Sequence, residues 1–174
     1  MAKEIERKFL VVDDSWRGGA SAQRIRQGYI CSSPECAVRV RLAGPRAFLT
    51  VKGGKSGSIR DEYEYAIPPD DADELLERLC ARPLIEKTRY TLPASDGAEW
   101  IVDVFEGANA GLVVAEIELE HAQQQFTLPA WTGIEVTDEP RYLNANLSAR
   151  PFASWTPAEQ RHGQDPAAEE RRDG

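Results

Sequence analysis

Six pairs of like charges, each straddling a single residue, recur along this chain: Glu4/Glu6, Arg24/Arg26, Arg39/Arg41, Glu62/Glu64, Lys87/Arg89 and Glu116/Glu118. On a strand, residues two apart point to the same face, so each pair sets two equal charges about 6.6 Å apart. Their repulsion is about 0.6 kcal/mol in bulk water and about 2.5 kcal/mol at an effective dielectric of 20. A solvated face tolerates that; an enclosed one demands opposite charge. The bases suit phosphate oxygens, arginine through its forked donors. Carboxylates with no histidine or thiol among them suit a hard cation, Mg2+ or Mn2+. A metal-bound polyphosphate would neutralise both sets at once, whereas a single phosphate would hardly need so many bases.

The rest of the composition narrows the chemistry. With His121 and His162 as the only histidines, a histidine-based triad has little to draw on. Cys31, Cys36 and Cys80 lack the spacing of a zinc site and read as small apolar fillers. The net charge of -8, from 29 acidic and 21 basic residues, argues against a nucleic-acid surface. No apolar run approaches the ~20 residues of a membrane span, and the first residues lack a secretory layout, so a cytoplasmic protein is expected. The run Gly53-Gly54-Lys55-Ser56-Gly57 invites a phosphate-loop reading. That motif needs a glycine where Leu49 stands and a helix afterwards, and neither condition is met.

The elements that must carry these charges are mostly strands. Alternation predicts them at 4–10, 23–31, 37–42, 47–52, 58–67, 84–90, 99–106 and 111–120, with a weaker one at 133–137. Asp70 reads as the N-cap of a helix over 71–81 with Leu75, Leu76 and Leu79 as its core face, and a short helix follows over 141–148. About eight antiparallel strands with short connections predict a mainly β (α+β) fold, an eight-stranded antiparallel barrel with a charged interior flanked by a few helices. The apolar outer faces then need cover from the 71–81 helix, the C-terminal segment or a second copy of the chain, so a homodimer is one expectation. One domain over 1–150 and a polar extension over 151–174 complete the organisation.

The ordered set Glu4-x-Glu6-x-Lys8, Arg39-x-Arg41, Thr50-Val51-Lys52, Glu62-x-Glu64, Lys87-x-Arg89, Val102-Asp103 and Glu116-Ile117-Glu118 resembles the CYTH, or triphosphate tunnel metalloenzyme, family. The resemblance spans roughly 2–148. It implies an eight-stranded antiparallel tunnel that acts on triphosphates with divalent metals. By it, Lys8, Arg39, Arg41, Lys52, Lys87 and Arg89 would hold phosphates, with Arg141 a further candidate. Glu4, Glu6, Glu62, Glu64, Asp103, Glu116 and Glu118 would hold metal or the attacking water, with Glu6, Glu64 and Lys52 in catalytic roles. The expected reaction is hydrolysis of inorganic tripolyphosphate to pyrophosphate and phosphate. Cyclisation of ATP to cyclic AMP, hydrolysis of thiamine or nucleoside triphosphates, and a polyphosphate-binding module without activity stand as alternatives.

Overall fold

The computed structural model describes residues 5–33, 35–56, 59–92, 99–121 and 123–161. Nine strands build one sheet: β1 (Ile5–Val11), β2 (Ser21–Ser32), β3 (Cys36–Ala43), β4 (Arg46–Ser56), β5 (Ile59–Ile67), β6 (Ile85–Leu92), β7 (Trp100–Phe105), β8 (Val113–Leu119) and β9 (Thr132–Glu135). Their order is β5-β4-β3-β2-β6-β7-β8-β1-β9 with every pairing antiparallel. The mainly β architecture is the one the alternation predicted. Closure is not: β5 pairs only with β4, and the four-residue β9 only with β1, so among the described residues the sheet stays open along one seam. The weaker segment near 133–137 supplies the ninth strand. It is held to β1 by Arg7, whose Nε donates to Glu135 at 2.7 Å.

Strand parity divides the side chains between two faces. On β1, β7 and β8 the outer face carries Phe9, Trp100, Val102, Ala115 and Ile117, which pack with Trp16 and Trp131 into one buried cluster. On β3 the outer Val40 packs beneath Ala72 and Leu76 of helix α1 (Pro69–Arg78). The inner face is charged at one end and apolar at the other. Leu10, Ile85, Phe105 and Val114 lie on the faces that carry Lys8, Lys87, Asp103 and Glu116, and they pack with Val136, Tyr142, Leu147 and Trp155. The C-terminal segment, expected over the outside of the sheet, therefore stoppers one end of its inside. Burying ten or so large apolar side chains there, at about 1.5–3 kcal/mol each, outweighs leaving them wet.

The helices depart from expectation in detail. α1 begins at Pro69, whose missing N–H is no loss in a first turn, so Asp70 and Asp71 sit inside that turn near its positive end and Asp70 does not cap it. Because α1 ends at Arg78, Leu79 stays exposed rather than joining the core. The segment expected as one helix over 141–148 splits into a 3-10 turn at Pro140–Tyr142 and helix α2 (Asn144–Ala149). A further turn, α3 (Pro157–Gln160), is closed by a capping box between Thr156 and Glu159. Of the three cysteines only Cys80 fills apolar space; Cys31 and Cys36 are exposed, contrary to the reading of all three as fillers. Among the described residues no helix is long and apolar enough to cross a membrane.

Candidate active site

Seven strands and α2 converge on a cavity of about 520 Å³. One wall comes from β1, β6 and β8, backed by Asp103 of β7, and is a continuous chain of ion pairs. Lys8 Nζ lies 2.8 Å from Glu6 and 2.6 Å from Glu116; the other oxygen of Glu116 accepts from Arg89 at 3.1 Å. Arg89 in turn grips Asp103 with two parallel bonds of 2.8 and 2.7 Å, and Lys87 donates to the same carboxylate. The opposite wall comes from β3, β4 and β5. There Glu64 Oε2 accepts from Thr50 at 2.9 Å and lies 3.4 and 3.3 Å from Arg39 and Arg41, while Lys52 pairs with Glu62 at 2.7 Å. Glu62 and Glu64 are exposed on β5, an edge of the open sheet, and Glu6 is exposed on the facing wall.

Between the two walls runs β2, and here the expected face is reversed. Ile25 and Gln27 line the cavity, whereas Arg24 and Arg26 point outward. Arg26 is clamped by Asp73 and Glu77 of α1, and Arg24 lies 3.6 Å from Glu86 and 3.4 Å from Glu106. The inward parity is fixed by pairing: Gln27 lies opposite Arg41 of β3, and Ile25 opposite Lys87 of β6. Gln27 is fully buried and donates to the Tyr29 hydroxyl at 3.2 Å. Neither Ile25 nor Gln27 bears a charge that would mark it in the sequence, and β2 carries its like-charge pair on the outer side.

The remaining expectations separate. Lys8, Arg39, Arg41, Lys52, Lys87, Arg89, Glu6, Glu62, Glu64 and Glu116 all line the one cavity. Asp103, expected to hold metal, lies almost wholly buried beneath Lys87 and Arg89 with both oxygens engaged by them, so here it orders bases instead. Glu118 stands directly opposite Glu6 across the β1–β8 ladder and is exposed outside the lining. Glu4 lies outside the described residues. Arg141 is not in the cavity: it stacks over Tyr142 and Trp155, 3.4 Å from Glu139. From the same segment Asn144 reaches the lining instead, with no charge to mark it in sequence.

Six bases face four carboxylates among the lining side chains, and the imbalance shapes their electrostatics. Burial lowers the Arg41 pKa and the charge of Arg39 lowers it further; Glu64 does not make up the difference. Lys8 behaves oppositely: burial works against its charge, but Glu116 and Glu6 outweigh burial and lift its pKa above the ordinary value. Burial would likewise raise Asp103, yet the charge of Lys87 and the hydrogen bonds from Arg89 prevail and hold it below the usual carboxylate range. The Nε–H groups of Arg39 and Arg41 are buried and meet no acceptor among the described residues. Two crowded guanidiniums sharing one carboxylate, each with a spare buried donor, form an anion receptor by the rule that buried donors seek acceptors.

Residues 2–152 match the CYTH domain. The chain belongs to the CYTH-domain family. It is 48% identical over 155 residues to an inorganic triphosphatase of Acetivibrio thermocellus, covering 89% of this chain and 99% of that protein. Against an inorganic triphosphatase of Nitrosomonas europaea the identity is 38% over 148 residues, covering 83% and 96%. Among solved structures, the inorganic triphosphatase NE1496 superposes with a TM-score of 0.69 at 35% identity, covering 85% of this chain and 95% of that one. In this CYTH domain the carboxylates offer only oxygen donors, which fits a hard divalent cation rather than zinc or copper. Glu6 and Glu118, like charges directly opposed across a ladder, repel unless a cation lies between them. No three histidine, cysteine or acidic side chains among the described residues already converge on one point.

Proposed function

We propose that this protein hydrolyses inorganic tripolyphosphate to pyrophosphate and phosphate. The observation that carries this reading is the pair of buried, unaccepted Nε–H donors on Arg39 and Arg41, facing Lys8, Lys87 and Arg89 across the same cavity. A linear anion with charge along its whole length satisfies both walls; a lone phosphate reaches one. Arg39 and Arg41 bind oxygens of one end of the chain by their forks, and Lys8, Lys87 and Arg89 those of the other.

Glu6, Glu62, Glu64 and Glu116, with Glu118 beside them, would hold the divalent cation, Mg2+ or Mn2+. When bound it supplies charge neutralisation and a more acidic water. Glu64, oriented by Thr50, or Glu6 accepts the proton of the attacking water. Its oxygen adds in line to the terminal phosphorus as the bond to the bridging oxygen breaks. Lys52 stabilises the departing oxygen. Everything the reaction needs from this chain is binding, alignment and proton acceptance; no covalent intermediate is required.

The test is phosphate release from tripolyphosphate, ATP, thiamine triphosphate and guanosine tetraphosphate side by side, each with Mg2+ and with Mn2+. Tripolyphosphate is expected to be turned over fastest, and Glu6→Gln to abolish turnover in a folded protein. Cyclic AMP as the main product from ATP, or full metal-dependent activity in Glu6→Gln, would overturn the reading.

A further inference from the structure

Hydrolysis as proposed uses none of the cysteines, yet two of them stand near each other at the tip of the β2–β3 hairpin. In that ladder Cys31 pairs with Val38 and Ser32 with Ala37, so Cys31, Val38 and Cys36 share the outer face, with Cys36 the diagonal neighbour of Cys31. Both cysteines are free and exposed. The turn between them is tied. Ser33 N–H donates to the Cys36 carbonyl at 2.8 Å, and the Ser33 hydroxyl accepts from the backbone N–H groups of Glu35 and Cys36 at 3.2 and 3.1 Å. Two accessible cysteines held as diagonal neighbours by a paired ladder are far closer to a disulfide than two on a loose chain, and Cys80, buried in the α1 cluster, is excluded from the exchange.

We propose that Cys31 and Cys36 form a reversible disulfide that couples the oxidation state of the surroundings to the active-site wall. The oxidant is a low-molecular-weight disulfide. One cysteine thiolate attacks it, forming a mixed disulfide and releasing one thiol; the second thiolate attacks the cysteine sulfur of that intermediate and releases the other. Two protein thiols are oxidised by two electrons, the reagent is reduced to two thiols, and the protons pass to them. The coupling runs through the next ladder. Cys36 pairs with Gly53, and Ala37 with Lys52, so the crosslink lies one residue from the β3 partner of Lys52. Drawing the two sulfurs to bonding distance shifts Cys36 and the β4 residues paired beside it, and with them the Lys52 ammonium.

The attacking species is the thiolate, a minor form of an ordinary cysteine at neutral pH. Oxidation should therefore quicken about tenfold per pH unit below the thiol pKa. The experiment treats the full chain with excess oxidised glutathione, removes the reagent, and reads intact mass, thiol count in denaturant, and tripolyphosphate hydrolysis. Expected are a mass lower by the two hydrogens lost, a fall from three titratable thiols to one, and a kcat/KM reduced severalfold and restored by dithiothreitol. Cys36→Ser should instead keep a glutathione adduct on Cys31 and match the reduced wild type before treatment. Three thiols after treatment, a stable adduct on the wild type, a covalent dimer, or a disulfide without effect on hydrolysis would each overturn the proposal. Mass and thiol count do not depend on the substrate assignment, so failure here is distinct from failure of the triphosphatase reading.

Discussion

Asp103→Asn separates a carboxylate that holds metal from one that holds bases. Asp103 is 1% exposed and Lys87 2%, so the pair lies in the interior where screening by water is slight. Asparagine keeps the volume and leaves no cavity, but it removes the charge. Arg89 retains Glu116 at 3.1 Å. Lys87 has no other carboxylate partner among the described residues and is left with the face of Phe105, 5.2 Å from its ammonium. Removing one partner of a buried pair costs about 3–5 kcal/mol, because the survivor stays charged and desolvated. In a chain of this length that is a Tm lower by about 6–20 °C. Released from their shared anchor, Lys87 and Arg89 lose alignment, and kcat/KM for tripolyphosphate should fall about 100-fold, as for misplacements near 1 Å. The metal concentration for half-maximal activity should not move. A Tm unchanged within a degree, together with a tenfold higher metal requirement, would refute the reasoning and return Asp103 to the metal set. The double variant Asp103→Leu with Lys87→Met should recover much of the stability and none of the activity, since a buried pair can be exchanged for apolar residues but not halved.

The same carboxylate sets a pH window. Its folded pKa is depressed, so its contribution to stability is present above the unfolded value of about 3.9 and lost as pH falls below it; melting curves between pH 5 and pH 2 should show a steep fall in the wild type and a shallower one in Asp103→Asn. Glu64→Gln should cut kcat by about 100-fold while Tm changes by no more than about 2 °C, because this side chain stands at the exposed edge strand; activity above a tenth of wild type would remove Glu64 from the reaction. Arg141→Ala should leave kcat/KM within about twofold and lower Tm by a few degrees, through lost contact with the Tyr142 and Trp155 rings; a large loss of activity in a stable protein would place Arg141 back at the substrate. Chelation should abolish phosphate release, and either Mg2+ or Mn2+ should restore it.

Sequence alternation carried the charged lining because period 2 is a direct property of extended chain, and it located ten cavity residues on six strands. It could not decide which of two faces turns inward on a strand considered alone. β2 shows why. Arg24 and Arg26 have the same spacing as Arg39 and Arg41, and only the partners differ: Gln27 opposite Arg41 sends β2's odd-numbered residues inward, and the acids of α1 receive Arg26 outside. Closure is hidden from the sequence for a related reason, since the number of strands says nothing about whether the last one finds the first. The C-terminal segment misled differently. Arg141 bears the charge but Asn144 lies in the cavity, because the Pro140–Tyr142 turn and α2 are placed by the apolar contacts of Tyr142, Leu147 and Trp155, and those are invisible to a search for charge.

The open seam and the neutral β2 wall bear on function together. Each charged wall holds its own ion pairs, through Glu116 and Asp103 on one side and through Glu62 and Glu64 on the other, where Arg39 and Arg41 share a single carboxylate. Between them β2 presents Ile25 and Gln27, which offer a long anion no competing charge. A substrate must therefore exchange existing pairs on two walls at once. That favours an anion long enough to touch both and carrying cations that take over the displaced carboxylates. The strands that hold these charges bury apolar residues at the intervening positions, as Phe9 beside Lys8 and Ile117 beside Glu116 do. Substitution of a lining charge that keeps contact with water alters the receptor without opening a hole in the core, so charge-removing variants of Lys52 or Glu62 should lose binding or turnover well before they lose the fold.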